Sequence, residues 1–455
     1  MPDEGGGAPT PYIPNTDADR QTILQTIGAA SVDALFADVP AEHRDPAISL
    51  PPSLSESELR EVFSDLADRN SVRTDRPVFL GAGAYNRYVP AVVSQLTSRF
   101  EFSTAYTPYQ PEISQGTLQS AFEYQSVVCD LTGLDVSNTG LYDVAAATAE
   151  ACLLAARATK RRSVALLEPM HPGTVDVVRT YAFGADIEVD IVADARDISD
   201  RHACLAIQQP DFLGGIVDVE QLAEKAHTAG ALCIVITDPL TLGLLRAPGD
   251  AGADVVTGEG RDLAGPIGFG GPSLGLFAAR KALLRQVPGR IVGRTSEIVD
   301  AGGDRPPKTG YVLTLQAREQ FIRRERATSN FSTGQALVAL GFTIAMQALG
   351  PEGLRGSANV CYQKAHSAAK QIAALSGFDV IERGPWFQEF LVNGPLPPAE
   401  VLRRLACNDI VGGLDVSTRP EPEADNAFLV AVTEATPESH IERLVCSLAA
   451  IGCGD

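Results

Sequence analysis

Residues 232–238 read Leu-Cys-Ile-Val-Ile-Thr-Asp, a short apolar run that ends at a carboxylate. Branched residues such as valine and isoleucine favour strands, and an unbroken apolar run is typical of a strand buried within a parallel sheet. In open sheets of this kind, ligands bind beyond the carboxyl ends of the strands. Asp238 is therefore predicted to place its carboxylate in a binding crevice.

The same kind of pattern continues on both sides of this run, from residue 117 to about residue 290. Helical periodicity predicts helices over 117–130, 143–159, 172–184 and 218–229. Further strands are predicted at 164–167, 187–192, 204–208, 254–256 and 274–278. Strands and helices in alternation imply an α/β fold with a mainly parallel sheet that helices cover on both faces.

The flanking segments complete the predicted domain organisation. We expect an N-terminal arm with helices over 1–70, a large α/β domain with interface loops over 71–310, a connecting helical segment over 311–354, and a smaller C-terminal α/β domain over 355–455. Ser55 is predicted to open a helix in the first segment. Gly350-Pro351 is predicted to end a helix at 332–349, and residues 71–116 are expected to be irregular.

Composition excludes several classes of protein. The 455 residues carry a formal net charge of −20, which leaves no basic face for nucleic acid or an anionic membrane as main partner. The first residues lack the basic and apolar regions of a signal peptide, and the eight cysteines show no CxxC pair. A cytoplasmic protein with buried, reduced thiols is therefore expected. The scattered histidines predict no metal site.

In its context, Asp238 resembles the aspartate that binds the pyridinium nitrogen in pyridoxal phosphate enzymes of fold type I. Such an enzyme also needs a lysine that binds the cofactor covalently, a couple of dozen residues further along the chain. Residues 254–263 contain no lysine, Lys281 lies beyond the following strand, and Lys225 precedes Asp238. Arginine is no substitute because its guanidinium stays protonated. The sequence therefore suggests a scaffold that cannot bind the cofactor covalently on its own.

Two further segments carry candidate functional residues. The stretch from Tyr106 to Gln115 combines rigid tyrosines with groups that could hydrogen-bond or exchange protons; its candidates are Tyr106, Thr107, Tyr109, Gln110, Glu112 and Gln115. The alternative is a well-packed surface loop. Cations and hydroxyls suited to phosphate or carboxylate come together at Arg323, Arg324, Thr328, Ser329 and Asn330. The alternative there is a solvated helix face paired with Glu319 and Glu325.

Several motifs also carry a family resemblance. They include YIPNT at 12–16, FLGAGAY at 79–85, TAYTPYQPEISQG at 104–116, FGGP at 269–272, PGRIVG at 288–293, LTLQAREQ at 313–320 and IRRERATSN at 322–330. In these residues the chain resembles the amino-terminal subunit of two-subunit glycine decarboxylase, the P-protein of the glycine cleavage system. The matching segments occur in family order over nearly the whole chain.

The resemblance implies a fold-type-I subunit that pairs with a homologous subunit as an α2β2 assembly. The partner would hold pyridoxal phosphate on its lysine, and the complex would decarboxylate glycine and pass the aminomethyl group to the lipoyl arm of H-protein. The loop at 106–115 would face the partner's cofactor across the interface. Thr328, Ser329 and Asn330, with Arg323, would reach the phosphate of that cofactor or the substrate carboxylate.

This chain also departs from the family pattern. Where the family usually continues Gly-Ala-Thr-Ala after Tyr142-Asp143, the chain has Val-Ala-Ala-Ala at 144–147. Arg261-Asp262 replaces a Gln-Pro pair, and Ser273 stands where tyrosine is common. These changes favour an alternative: a paralogous scaffold or regulatory subunit of a pyridoxal-dependent decarboxylase that acts on another amino acid. An independent pyridoxal enzyme is disfavoured because no lysine is in place.

Overall fold

The computed structural model describes residues 14–44, 46, 49–70, 76–103, 106–297, 307–315, 329, 331–419 and 426–453. Contacts between residues divide the chain into two units, Met1–Asn70 and Ser71–Asp455. Each unit is described by itself below. The predicted subdivision of the second unit at residues 310 and 354 stays a prediction.

Among its described residues, the first unit contains two short α-helices, α1 (Asp17–Ile27) and α2 (Glu56–Asp68). Each begins with a capping box, in which the side chain of the N-cap and that of the third helical residue exchange hydrogen bonds with the backbone. Ser55 is the N-cap of α2, which confirms the prediction made for it. Neither helix has a buried residue, and Phe63 in the apolar stripe of α2 is 65% exposed.

The second unit is built on a seven-stranded sheet in the order β1-β7-β6-β5-β4-β2-β3. Its strands are β1 (Val136–Ser137), β2 (Ser163–Leu167), β3 (Glu188–Val192), β4 (His202–Gln209), β5 (Leu232–Thr237), β6 (Val255–Glu259) and β7 (Gly275–Ala279). The five adjacent strands from β6 to β3 are parallel, whereas β7 and β1 are antiparallel to their neighbours. The prediction of a mainly parallel sheet is confirmed.

Helices cover both faces of this sheet. In chain order they are α3 (Ala91–Thr97), α4 (Gln115–Thr132), α5 (Val144–Thr159), α6 (Pro172–Gly184), α7 (Val219–Thr228), the single turn α8 (Arg261–Ala264) and the long α9 (Ala336–Ala373). Side chains of α4, α7 and α9 share one core cluster with Cys233 and Val235 of β5. Those of α5 and α6 share another with Ile234 and Ile236. Alternate residues of β5 thus face opposite layers, as strand geometry requires.

The C-terminal part carries a second, smaller sheet. Its four antiparallel strands follow the order β10-β11-β13-β12, with β10 (Asp379–Ile381), β11 (Glu389–Asn393), β12 (Leu414–Asp415) and β13 (Ala427–Ala431). The helices α10 (Pro398–Cys407) and α11 (Glu438–Gly452) share its core cluster with the second half of α9. A separate hairpin is formed by β8 (Ile291–Ser296) and β9 (Thr309–Thr314).

The long helix α9 joins the two sheets. Its backbone is non-helical at Gly350, directly before Pro351, so the predicted helix end at this dipeptide corresponds to a break between two helical halves. By length and composition alone, α9 could cross a membrane. Of its most apolar window, 44% is buried inside the unit.

Two expectations from the sequence need correction. Residues 71–116 were expected to be irregular, but α3 lies within them because its apolar Val93 packs into the main core. The cysteines were expected to be buried. All eight are free and Cys152, Cys204, Cys233 and Cys361 are buried, but Cys407, Cys446 and Cys453 are exposed.

Candidate functional site

A crevice of about 410 Å³ lies beyond the carboxyl ends of the parallel strands. Asp238, directly after β5, lines it together with the loop at 82–85, the start of α5, His171 and the turn that follows β6. The predicted position of the Asp238 carboxylate in a crevice is therefore confirmed. This is the edge of the sheet at which ligands bind in open α/β folds.

Arg87 forms an ion pair with the Asp238 carboxylate. Its guanidinium donates to Asp238 Oδ2, to Gln388 Oε1 at 3.0 Å and to Glu434 Oε2 at 3.2 Å, and its side chain is only 1% exposed. Burial by itself lowers the pKa of Arg87, but the carboxylates of Asp238 and Glu434 outweigh burial and hold it above its ordinary value. Arg87 is therefore a permanent cation that neutralises Asp238 from within the chain.

Carboxylates also occupy the amino-terminal end of α5. Asp143 Oδ1 accepts from the backbone nitrogen of Ala146 at 2.7 Å, and Glu259 Oε2 accepts from that of Val144 at 3.4 Å. Glu259 Oε1 also accepts from the nitrogen of Leu274 at 2.8 Å. Burial raises the pKa of Glu259 to about 7. The helix end that could have bound an anion through its free N–H groups is thus already capped.

Glu389 on β11 fixes the loop that forms the crevice wall. Its carboxylate accepts from the backbone nitrogen of Ala82 at 2.6 Å and from the Tyr85 hydroxyl at 2.7 Å. Asp262 supports the same loop by accepting from the Tyr85 nitrogen at 2.7 Å. Burial is the main cause that raises the pKa of Glu389 to about 7.

This raised pKa predicts a pH-dependent stability. Because the folded-state pKa of Glu389, about 7, lies above the ordinary 4.5, the folded chain keeps a proton that the unfolded chain loses between these values. The stabilisation is complete below about pH 4.5 and is lost as pH rises through about 7, a change of about 3 kcal/mol. Glu389→Gln should remove this part of the slope in urea unfolding measured from pH 5 to pH 8.

Glu442→Gln, at an exposed position of α11, is the matched control and should leave the slope unchanged. Glu259 titrates over the same range and should account for the slope that remains in the Glu389→Gln variant. If Glu389→Gln keeps the full slope of the natural chain, Glu389 is ionised throughout this range and the expectation is wrong.

The crevice does not fit pyridoxal phosphate. Asp238, which would have to bind the pyridinium nitrogen, is already bound to Arg87. Asp143 and Glu259 place negative charge where a phosphate would need the free amides of α5. None of the residues that line the crevice is a lysine, and all of these lining residues belong to the described part of the chain. The residues that line this crevice therefore do not fit the cofactor.

The loop at 106–115 lies outside the residues that line this crevice. Tyr106 is 81% exposed and Tyr109 is 56% exposed. Gln110 and Glu112 are exposed as well, while Thr107 is half-buried. The loop therefore presents tyrosine surface to the outside of the unit.

Gln115 is the exception within this loop, because its side chain is engaged with the backbone. Its amide donates to the carbonyl oxygens of Pro111 at 2.7 Å and Tyr311 at 2.9 Å, and it accepts from the Tyr311 nitrogen at 2.9 Å. Gln115 thus ties the loop to β9. In this structure its polar atoms serve the backbone and do not face a ligand.

The loop contacts the chain shortly after the second predicted segment. The hydroxyl of Tyr106 lies 2.8 Å from that of Thr333, and the hydroxyl of Ser329 donates to Glu150 at 2.6 Å. Tyr106 therefore contacts the chain four residues beyond Ser329, while Ser329 itself contacts α5. The predicted residues Arg323, Arg324, Thr328 and Asn330 lie outside the described residues.

Sequence reasoning missed Arg87, Glu389 and Glu150. Arg87 lies in the segment that was expected to be irregular, and Glu389 lies on the small sheet, 307 residues from its contact at Ala82. No motif spacing connects positions so far apart. The only available signal was a charged residue within an apolar run, which Glu150 shows in Ala-Glu-Ala at 149–151.

Comparison with known structures shows which fold this chain has. Over 91% of this chain, a sphingosine-1-phosphate lyase from Burkholderia pseudomallei superposes with a TM-score of 0.61 at 15% identity, covering 94% of its own chain, which shows a shared fold. A NifS-like protein superposes with a TM-score of 0.60. The chain therefore has the fold of the fold-type-I pyridoxal phosphate enzymes.

Closer relatives give the family. The family model described as glycine cleavage system P-protein matches residues 10–448. A probable glycine dehydrogenase (decarboxylating) subunit 1 from Moorella thermoacetica is 45% identical over 97% of this chain and 99% of its own length. A crystal structure of glycine decarboxylase (P-protein) in inhibitor-bound form superposes with a TM-score of 0.87 at 39% identity, covering 97% of this chain and all of its own. The chain belongs to the glycine cleavage system P-protein family and matches its subunit 1 along its full length.

Proposed function

We propose that this chain is the subunit of a glycine decarboxylase complex that does not hold the cofactor and that completes the active site of a second, homologous subunit. The observation that carries the proposal is the blocked crevice, in which Arg87 binds Asp238 and no lysine is within the lining. A chain that keeps the fold but cannot hold the cofactor has a role only alongside one that can. The name of its relatives, subunit 1, supports a second subunit.

In this proposal the second subunit binds pyridoxal phosphate on its own lysine, and the two chains assemble as α2β2 in the cytoplasm for glycine catabolism. The cofactor supplies an electron sink for the loss of the glycine carboxylate. The lipoyl arm of H-protein accepts the aminomethyl group. Buried free thiols such as Cys204 and Cys233 suit the reducing cytoplasm.

The surface at the 106–115 loop supports a partner at this face. Tyr106 and Ile113 are each 81% exposed, and exposed apolar groups of this size mark interaction sites when they cluster. A narrow cavity of about 80 Å³ opens beside Tyr106. Tyr124 lines it, is fully buried, and has a hydroxyl without a hydrogen-bond partner in the described part of the chain. A second subunit seated here would cover the tyrosines and enclose this cavity.

The proposed roles follow from these positions. Tyr106, Thr107, Tyr109, Gln110 and Glu112 shape the partner's site from across the interface. Gln115 holds the loop that carries them. Arg323, Thr328 and Asn330 are proposed to support the anionic groups directly, and Ser329 is proposed to do so indirectly.

The test is reconstitution with the second subunit and lipoylated H-protein. Carbon exchange between glycine and bicarbonate should appear only when this chain, the second subunit, pyridoxal phosphate and H-protein are all present. The absorbance of the lysine-bound cofactor should come from the second subunit and should be absent from this chain alone.

Two results would contradict the proposal. If this chain alone shows that absorbance, and mutation of one of its six lysines abolishes it, the chain is a pyridoxal enzyme in its own right. If the reconstituted pair decarboxylates another amino acid in preference to glycine, the paralogue interpretation is correct. The substitutions at 144–147, at the start of α5, are the reason to compare glycine with other amino acids in this assay.

A further inference from the structure

Glu150 lies in the middle of α5 and is only 3% exposed. One of its oxygens, Oε1, accepts a hydrogen bond of 2.6 Å from the hydroxyl of Ser329. The other, Oε2, is buried without a hydrogen-bond partner among the described residues. Burying a carboxylate that accepts a single hydrogen bond destabilises the fold. The function of Glu150 is therefore to be sought in its hydrogen bond with Ser329.

This contact leaves the hydroxyl of Ser329 without a hydrogen to donate to another group. Its one hydrogen is donated to Glu150, and its oxygen accepts from the backbone nitrogen of Phe331 at 3.0 Å. A hydroxyl has a single hydrogen to donate. Ser329 therefore cannot donate to a phosphate or carboxylate while this bond is present, and the adjacent carboxylate of Glu150 would repel such an anion.

The chain beyond Ser329 is fixed at two further points. The ring of Phe331 packs on that of Tyr142 with 4.7 Å between centroids, and the nitrogen of Ser332 donates to the Tyr142 hydroxyl at 3.1 Å. The next residue, Thr333, shares the hydrogen bond with Tyr106. A continuous path thus runs from Glu150 through this segment to the most exposed tyrosine of the 106–115 loop.

We propose that Glu150 is a positioning residue, which holds Ser329 and thereby sets residues 331–333 and Tyr106 at the face that completes the second subunit's site. The inference rests on the proposed function. It assigns Ser329 an anchoring role and leaves direct contact with anionic groups to other residues. Ser329 and Glu150 then act as one unit.

The test compares Glu150→Ala, Glu150→Gln, Ser329→Ala and the double variant Glu150→Ala/Ser329→Ala. Hydrogen exchange in the full chain alone should accelerate about tenfold at residues 331–333 and spread to 106–109 in both alanine variants, because a hydrogen bond to a charged group is lost. In the reconstituted complex, kcat should fall about tenfold while KM for glycine changes by less than about twofold. Glu150→Gln, whose amide oxygen still accepts from Ser329, should stay within about threefold of the natural chain.

The double variant separates anchoring from direct contact. If the two residues act as a unit, it is no worse than either single variant. If Ser329 itself contacts the anion, Ser329→Ala loses activity while Glu150→Ala does not, and the inference is overturned. Additive losses overturn it as well. Glu123→Ala, an exposed glutamate on α4, is the control and should match the natural chain in both measurements.

Failure of the inference is distinguishable from failure of the proposed function. Exchange is measured without the partner, so unchanged exchange in Glu150→Ala overturns the anchoring role whatever the complex does. If the natural chain gives no glycine turnover with the second subunit, the proposed function fails and the functional half of the inference fails with it. Should Glu150→Ala not fold, Ser329→Ala and Glu150→Gln still decide the outcome.

Discussion

Replacing Arg87 with methionine should lower the free energy of unfolding of the larger unit by about 3–5 kcal/mol. The substitution removes the cation but leaves the largely buried carboxylates of Asp238 and Glu434 without it, and uncompensated buried charge is among the most destabilising changes known. Methionine preserves much of the side-chain volume, so a cavity contributes little. Urea unfolding followed by circular dichroism measures the change.

Arg99→Met provides the matched control. Arg99 also forms an ion pair, with Glu101, but both side chains are about half exposed, and such pairs contribute little to stability. Adding Asp238→Asn to Arg87→Met should recover part of the loss, because it removes one of the stranded charges. If Arg87→Met is as stable as Arg99→Met, the crevice admits water and the ion pairs do not stabilise the fold.

Replacing Gly214 with alanine should cost about 3 kcal/mol or more, from two causes that act together. Gly214 has a φ of +91°, a conformation that side-chain-bearing residues rarely adopt. In addition, a Cβ at this position would lie far inside van der Waals contact of the backbone carbonyl of Glu389. Since that contact is with backbone on β11, it cannot be relieved by rotating a side chain, and thermal unfolding should show the loss.

Gly384→Ala isolates the first cause, the backbone conformation. Gly384 has a similar φ of +102°, but a Cβ there would meet nothing within 4 Å. Its loss should be about 1 kcal/mol, from backbone strain alone. Equal losses at the two positions would show that β11 shifts to accommodate the methyl group, and that the Glu389 carboxylate is held less rigidly than its two short hydrogen bonds indicate.

The features of the fold that follow from local pattern were predictable. The run 232–238 identified a buried strand and the position of Asp238 in the crevice, because both depend only on neighbouring residues. The helices α5, α6 and α7 agree with their predicted bounds to within a residue or so for the same reason. The antiparallel direction of β7 was not predictable, since strand composition does not encode direction.

One feature of the crevice, the missing lysine, was predictable, and another, the position of Arg87, was not. The missing lysine could be recognised because its expected place is a fixed short distance after Asp238. The arginine that replaces a cofactor contact could not, because Arg87 lies 151 residues before Asp238 and no spacing rule connects them. The roles of Gln115 and Ser329 depend on contacts with Tyr311 and Glu150, which residue type alone cannot reveal.

The network around Arg87 also bears on whether such a subunit could ever evolve back into a self-sufficient enzyme. A lysine at position 261 would inherit the neighbour of Arg261, the carboxylate of Asp262 at 2.8 Å, which would keep it protonated and unreactive. Asp238 would still be neutralised, and α5 would still be capped by acids. At least three changes would be needed together: a new lysine, the release of Asp238 from Arg87, and the removal of the acids that cap α5. Loss of Arg87 as the first of these changes would destabilise the fold. If the proposed division of roles is correct, single substitutions therefore do not restore cofactor binding to this chain.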